Sequence, residues 1–118
     1  MPYVDGFVLP LPKRNLEKYR AMARKAGKIW MKHGALGYHE AIEDDVPEGK
    51  ITSFPQSVKR MKGEAVVFAY ATYKSRKHRD QVMKKVMNDP YMKNFDMKQN
   101  PFDGKRMFWG GFKTLVSF

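Results

Sequence analysis

Cysteine is absent from the 118 residues. Its absence excludes a disulfide framework, a thiolate metal site and a cysteine nucleophile, and it suits a reducing cytosol. The sequence therefore predicts a cytoplasmic protein. Long apolar runs are missing too. No stretch approaches the roughly 18 apolar residues of a membrane span. The opening MPYVDGFVLPLPKR has no basic lead followed by a long apolar run, so no signal peptide is expected. Gly-x-Ser-x-Gly does not occur, which leaves serine nucleophile chemistry without support. Acidic residues are scarce, 12 against 23 Lys and Arg, for a formal net charge of +11. Such a surface attracts nucleic acid, acidic lipid or anionic metabolites. The basic residues are spread over helix faces and loops without a dense block, which also describes a solvated basic shell.

What is present reads as one globular domain over residues 1–118. Hydrophobic residues make up 42% and charged residues 30%, so the chain can bury a core. About two-thirds of the unfolded surface is removed from water in a chain of this size.

Residues 3–9, YVDGFVL, alternate as a strand, with Tyr3, Asp5 and Phe7 on one face and Val4, Gly6 and Val8 on the other. Pro10 and Pro12 are expected to end it, because proline cannot donate to a sheet ladder. Over 16–33, Leu16, Tyr19, Ala23, Ala26, Trp30 and His33 line one face of a helix, with Asn15 as its N-cap and Gly34 as its stop. Residues 35–43 read as a second strand. Residues 46–63 form a long connector, either a lid or a surface excursion that pads an edge, with a short helix from Pro55 through Met61. EAVVFAYATY, 64–73, is apolar on both faces and needs cover on both. Ser75 caps a second long helix whose inner stripe is Val82, Met83, Val86 and Met87. A last strand lies within 105–118, and its Gly110-Gly111 pair predicts a bulge or a close backbone approach.

HGALGYHEAIEDD, 33–45, gathers two histidines and four carboxylates without making a metal site. His39 and Glu40 point to opposite faces of a strand, His33 ends a helix, and Asp44 and Asp45 fall in a loop. A metal needs at least three converging ligands. No metal and no cofactor are expected.

Strand–helix–strand, long loop, strand–helix–strand is the order of an α+β, ferredoxin-like βαββαβ sandwich with a four-stranded antiparallel sheet. Both long helices fall on one face. Small Ala65, Ala69 and Ala71 suit that face. Val66, Phe68, Tyr70, Phe108, Trp109 and Phe112 are then left for the other. A homodimer closing sheet to sheet as an α/β-barrel would cover them.

The stretches YVDGFVLPLPKRNLEKYR, DDVPEGKITSFPQSVK, YKSRKHRDQVMKKVMNDP and PFDGKRMFWGGFK resemble the YbaA-like bacterial proteins, which carry domain of unknown function 1428. The resemblance covers nearly the whole chain. It implies a dimeric α/β-barrel of ferredoxin-like halves and transfers no catalytic residues.

The residues offer three functional readings. The first is a metal-free homodimer that binds or transforms a small aromatic or anionic metabolite. Its pocket is lined by Tyr3, Phe68, Tyr70 and Trp109, with Asp5 or His39 as proton acceptor and Arg106 as anion anchor. Asp5 set among apolar residues needs a partner, expected to be Arg106 or Lys105; a structural ion pair there is the alternative. Lys50, Ser53, Arg76 and Arg79 are candidates for a second, anion-binding position near the start of the second long helix. The second reading is an RNA- or DNA-associated module that stacks bases on the aromatic sheet. The third is a structural dimer with no ligand.

Overall fold

The computed structural model describes residues 2–118. Four strands, β1 (Tyr3–Pro12), β2 (Gly37–Ile42), β3 (Glu64–Tyr73) and β4 (Phe108–Lys113), form one antiparallel sheet in the order β2-β3-β1-β4. Two long helices, α1 (Leu16–Lys32) and α3 (Arg76–Asn88), pack on the same face. Short helices α2 (Phe54–Ser57) and α4 (Pro90–Lys93) complete the set. This is the α+β, ferredoxin-like sandwich expected from the order of elements.

Register assigns every strand residue to a face. Tyr3, Asp5, Phe7, Leu9 and Leu11 of β1 pair with Tyr73, Ala71, Ala69, Val67 and Ala65 of β3 on the helix side. Two buried clusters form there. One joins Trp30, Val82 and Val86 to Tyr3, Ala71 and Tyr73; the other joins Tyr19 and Ala23 to Leu9, Leu11 and Val67. The alanines of β3 are what let the helices approach, since a larger side chain would push them off the sheet.

Two strand boundaries differ from expectation. β1 continues through Pro10 to Pro12. Lys13 N–H donates to the Gly63 carbonyl on the β3 side at 2.9 Å. Alternation then turns the Pro10 and Pro12 nitrogens to the opposite side, where pairing with β4 has already ended at Val8. A missing N–H costs nothing at an unpaired edge. β4 has no bulge at Gly110-Gly111: pairing runs unbroken from Val8–Phe108 to Tyr3–Lys113. The close-approach alternative holds instead, because a Cβ on Gly111 would sit 2.8 Å from an Arg79 guanidinium nitrogen.

The helices end where their caps say. Ser75 accepts from His78 N–H at the start of α3, and Gly34, with φ of +110°, turns the chain out of α1. Asn15 precedes α1, but its side chain makes no cap; it reaches instead to the Pro101 carbonyl at 2.7 Å. The connector's helix stops at Ser57, short of Met61, with Ser53 capping it. Its following turn sets Val58 against Val8 and Val66, so the connector pads one end of the second sheet face. The rest of that face is open.

Candidate functional site

The residues expected to share a pocket lie on opposite faces of the sheet. Tyr3 and Trp109 are on the helix side, Trp109 opposite Phe7 and stacked on it with ring centres 6.5 Å apart. Phe68 and Tyr70 are on the open side, with His39 stacked on Tyr70 at 4.8 Å. Adjacent strand residues must diverge, so Trp109 cannot join Phe108 and Phe112 on the open face.

Asp5 is buried at 1% exposure, and its ionic partner is Arg79 of α3, at 3.8 Å from Nε. Register explains the difference from the expected Arg106: Asp5 pairs with Gly111, five positions along β4 from Arg106. The absent Gly111 side chain makes room for Arg79, whose Nη2 donates to the Tyr3 hydroxyl at 3.1 Å. Burial raises the Asp5 carboxyl above its ordinary range, against the pull of the Arg79 charge. Asp5 Oδ1 and Arg79 Nε make no hydrogen bond. This is a buried, structural ion pair locking α3 to β1 and β4.

Arg106 forms a bidentate contact to Glu64 at 2.7 Å on both arms and bonds Asp103 at 3.0 Å. Four of its five N–H donors are taken by Glu64, Asp103 and the Lys59 carbonyl, so it faces carboxylates rather than the expected pocket. The second anion position also disperses. Ser53 is occupied as a helix cap, Arg79 faces Asp5, and Lys50 and Arg76 are exposed on separate segments. His33 is held by Asp89 at 2.9 Å rather than by helix-end carbonyls.

The structure instead puts its polar centre at Glu40. β2 turns Tyr38 and Glu40 toward α1, and α1 brings Tyr19 down to meet them. The Tyr38 hydroxyl donates to Glu40 Oε2 at 2.6 Å, and the Tyr19 hydroxyl donates to Oε1. Burial first, then the Glu40 charge, hold both phenols far above their ordinary pKa, so both stay donors. Gly27 makes the arrangement possible, because a Cβ there would lie 2.9 Å from the Tyr38 ring.

Two hollows meet at this cluster. One, of about 590 Å³, opens between α1 and the edge strand β2 and is rimmed by Arg20, Arg24 and Lys28. The other, of about 470 Å³, lies between the sheet and α1 and is walled by Phe7, Trp30, Phe102 and Tyr91 together with Met22, Met87, Met92, Met97 and Met107. Met87, expected on the inner stripe of α3, is 58% exposed and sits on this wall. A half-open, largely apolar hollow with one polar cluster has the composition of a small-molecule pocket. Among the described residues, no group of three His, Cys, Asp or Glu converges on a metal position. No helix of the described residues is long and apolar enough to cross a membrane.

Known proteins match this chain along its length. The family described as protein of unknown function (DUF1428) matches residues 2–104. The chain belongs to this family. Uncharacterized protein YbaA of Escherichia coli K12 is 45% identical over 116 residues, covering 98% of both chains. The protein of the same description in Shigella flexneri is equally similar, 45% over 116 residues. Among solved structures, Rv0793 from Mycobacterium tuberculosis superposes with a TM-score of 0.55 at 14% identity, over 99% of this chain and 98% of that one. That likeness concerns the fold alone. For the DUF1428 chain, the cluster of Tyr19, Tyr38 and Glu40 escaped sequence reasoning because Tyr19 looks like an ordinary core residue. The one usable signal was Glu40 sharing a face with Leu36, Tyr38 and Ile42.

Proposed function

We propose that the chain is a single domain working as a homodimer, in which each subunit binds a small, largely apolar or aromatic molecule without a metal. The cavity of about 470 Å³ between α1 and the sheet carries the ligand part of this reading. Its walls offer rings and thioethers, which adapt to flat apolar shapes. Glu40 with its two phenols supplies the orienting polar group. An anion would be repelled by Glu40, so the anionic half of the expectation finds no place in this cavity. A cytoplasmic setting belongs to the same proposal.

The open sheet face carries the dimer part. On the part the connector leaves open, Val4 and Gly6, His39 and Ala41, Phe68, Tyr70 and Thr72, and Phe108, Gly110 and Phe112 point that way. None of these is Lys, Arg, Asp or Glu in a chain that is 30% charged, and Glu64, on the same face at its padded end, is already paired with Arg106. Two copies of a +11 chain meet with least repulsion through a surface free of cations. A nucleic acid needs cations there to neutralise phosphates, so the same observation favours a second copy over RNA or DNA.

Native mass spectrometry of the purified protein tests both parts. A dimer mass carrying a small-molecule adduct, or accepting an added aromatic probe, is the expected result. A monomer across micromolar concentrations sinks the dimer, and refusal of every aromatic probe sinks the ligand reading. RNA binding that weakens steeply with salt would favour the nucleic-acid alternative.

A further inference from the structure

We propose that the cavity beside Glu40 selects an organic cation, a protonated amine carried on an aromatic or apolar body. This rests on the small-molecule reading above and narrows it to a ligand class.

Five carboxylates among the described residues are wholly or partly withdrawn from solvent: Asp5, Glu40, Glu43, Glu64 and Asp89. Four of them face a basic side chain within 4.0 Å: Asp5 has Arg79, Glu43 has Arg60, Glu64 has Arg106, and Asp89 has His33 and Lys32. Glu40 has only the two neutral phenols. In a chain with 23 Lys and Arg, this one carboxylate is left without a cation at the wall of a cavity.

A carboxylate has about four lone-pair positions, and two hydroxyl donors leave room for more. An ammonium group brings up to three N–H donors and the opposite charge. The neighbouring rings add to this. Trp30 lies 5.5 Å from Tyr38, and Phe102 meets Tyr19 edge-on at 5.8 Å, so two further rings stand beside the phenols that hold the carboxylate and line the same hollow. A cation seated over an aromatic ring is attracted to its π face. Tyr91, farther along the same wall, already has the Lys25 ammonium 5.5 Å from its ring centre.

The net charge of +11 works against a cationic ligand. Arg20, Arg24 and Lys28 line the neighbouring hollow together with Glu40, but they are exposed and none forms an ion pair with it. Solvent screens exposed charges over about 8–10 Å, whereas Glu40 acts at contact distance.

Three probes of one shape test the proposal on the full chain: tryptamine, tryptophol and indole-3-propionate, followed by the Trp30 indole N–H resonance. Tryptamine is expected to bind at least tenfold more tightly than tryptophol, and the propionate most weakly. Glu40→Gln should erase the preference, bringing tryptamine and tryptophol to within about threefold of one another. Tryptophol or the propionate matching tryptamine overturns the cation inference and leaves the cavity reading standing. No response of Trp30 to any probe overturns both. The ratio on the unmodified protein decides even where Glu40→Gln fails to fold.

Discussion

Asp5 and Glu64 are both carboxylates facing an arginine, yet they respond to pH in opposite senses. At Asp5 burial dominates and the folded carboxyl is raised from 3.8. The folded chain then holds its proton more tightly than the unfolded chain. Its stabilising contribution is complete below 3.8 and is lost as pH rises through the raised folded value. At Glu64 the Arg106 contact dominates and the carboxyl is lowered from 4.5. That contribution is present above 4.5 and is lost as pH falls through the lowered value. Urea midpoints measured from about pH 6 down to about pH 3 should therefore fall less steeply for Glu64→Gln than for the parent. Arg79→Met tests the other pair. It strands Asp5 without its partner and should cost about 3–5 kcal/mol at neutral pH, with the loss shrinking in acid as Asp5 protonates. Equal losses at pH 7 and pH 4 would contradict the pairing.

The same region made Asp5 half-legible. A carboxylate at an apolar strand position announced that it needs a partner. The partner's identity did not follow, because Arg79 lies 74 positions away on a helix whose rotation about its axis is set by Val82 and Val86 seating in the core.

Among the elements, α1 carries an internal glycine that a helix would ordinarily do better without. Gly in a helix interior costs about 1 kcal/mol relative to Ala. Gly27 is tolerated because the Tyr38 ring occupies the space of its missing Cβ. Gly27→Ala should gain helix propensity and yet lower the melting temperature, since the ring must move and its bond to Glu40 at 2.6 Å stretches or breaks. A calorimetric scan showing higher stability would mean that Tyr38 is free to shift. Boundaries teach a related lesson. β3 spans 64–73 as its apolar run predicts, and α1 ends one residue before the expected His33. β1 runs past the point where two prolines argued for a stop, because the penalty for proline depends on which edge has a neighbour.

For the molecule as a whole, the open sheet face is the unfinished surface. Phe68 is 43% exposed, Phe108 46% and Phe112 63%. Phe112→Asp places a charge on the β4 side of the proposed contact. Sedimentation should then show a subunit at half the parent's mass, with far-ultraviolet circular dichroism retained. An unchanged dimer would move the interface elsewhere. Native-state hydrogen exchange offers a second view: amides of β4 should exchange faster in Phe112→Asp than in the parent, because that edge strand loses its cover.

Periodicity along the chain was sufficient for the elements, their order and the single-faced placement of both helices. Those properties depend on residues within a few positions of one another, and the repeat of two or of 3.6 is written directly into the sequence. The spacing also ruled out a local metal cluster around His39 and Glu40, since neighbours in a strand diverge. The tertiary structure alone decided which charges meet. It sent Asp5 to Arg79, Arg106 to Glu64 and His33 to Asp89, and it set Tyr19 and Tyr38 against a Glu40 that pairs with no basic side chain among the described residues. Those outcomes depend on strand register and helix rotation, which the whole core settles together, so no short stretch of residues contains them.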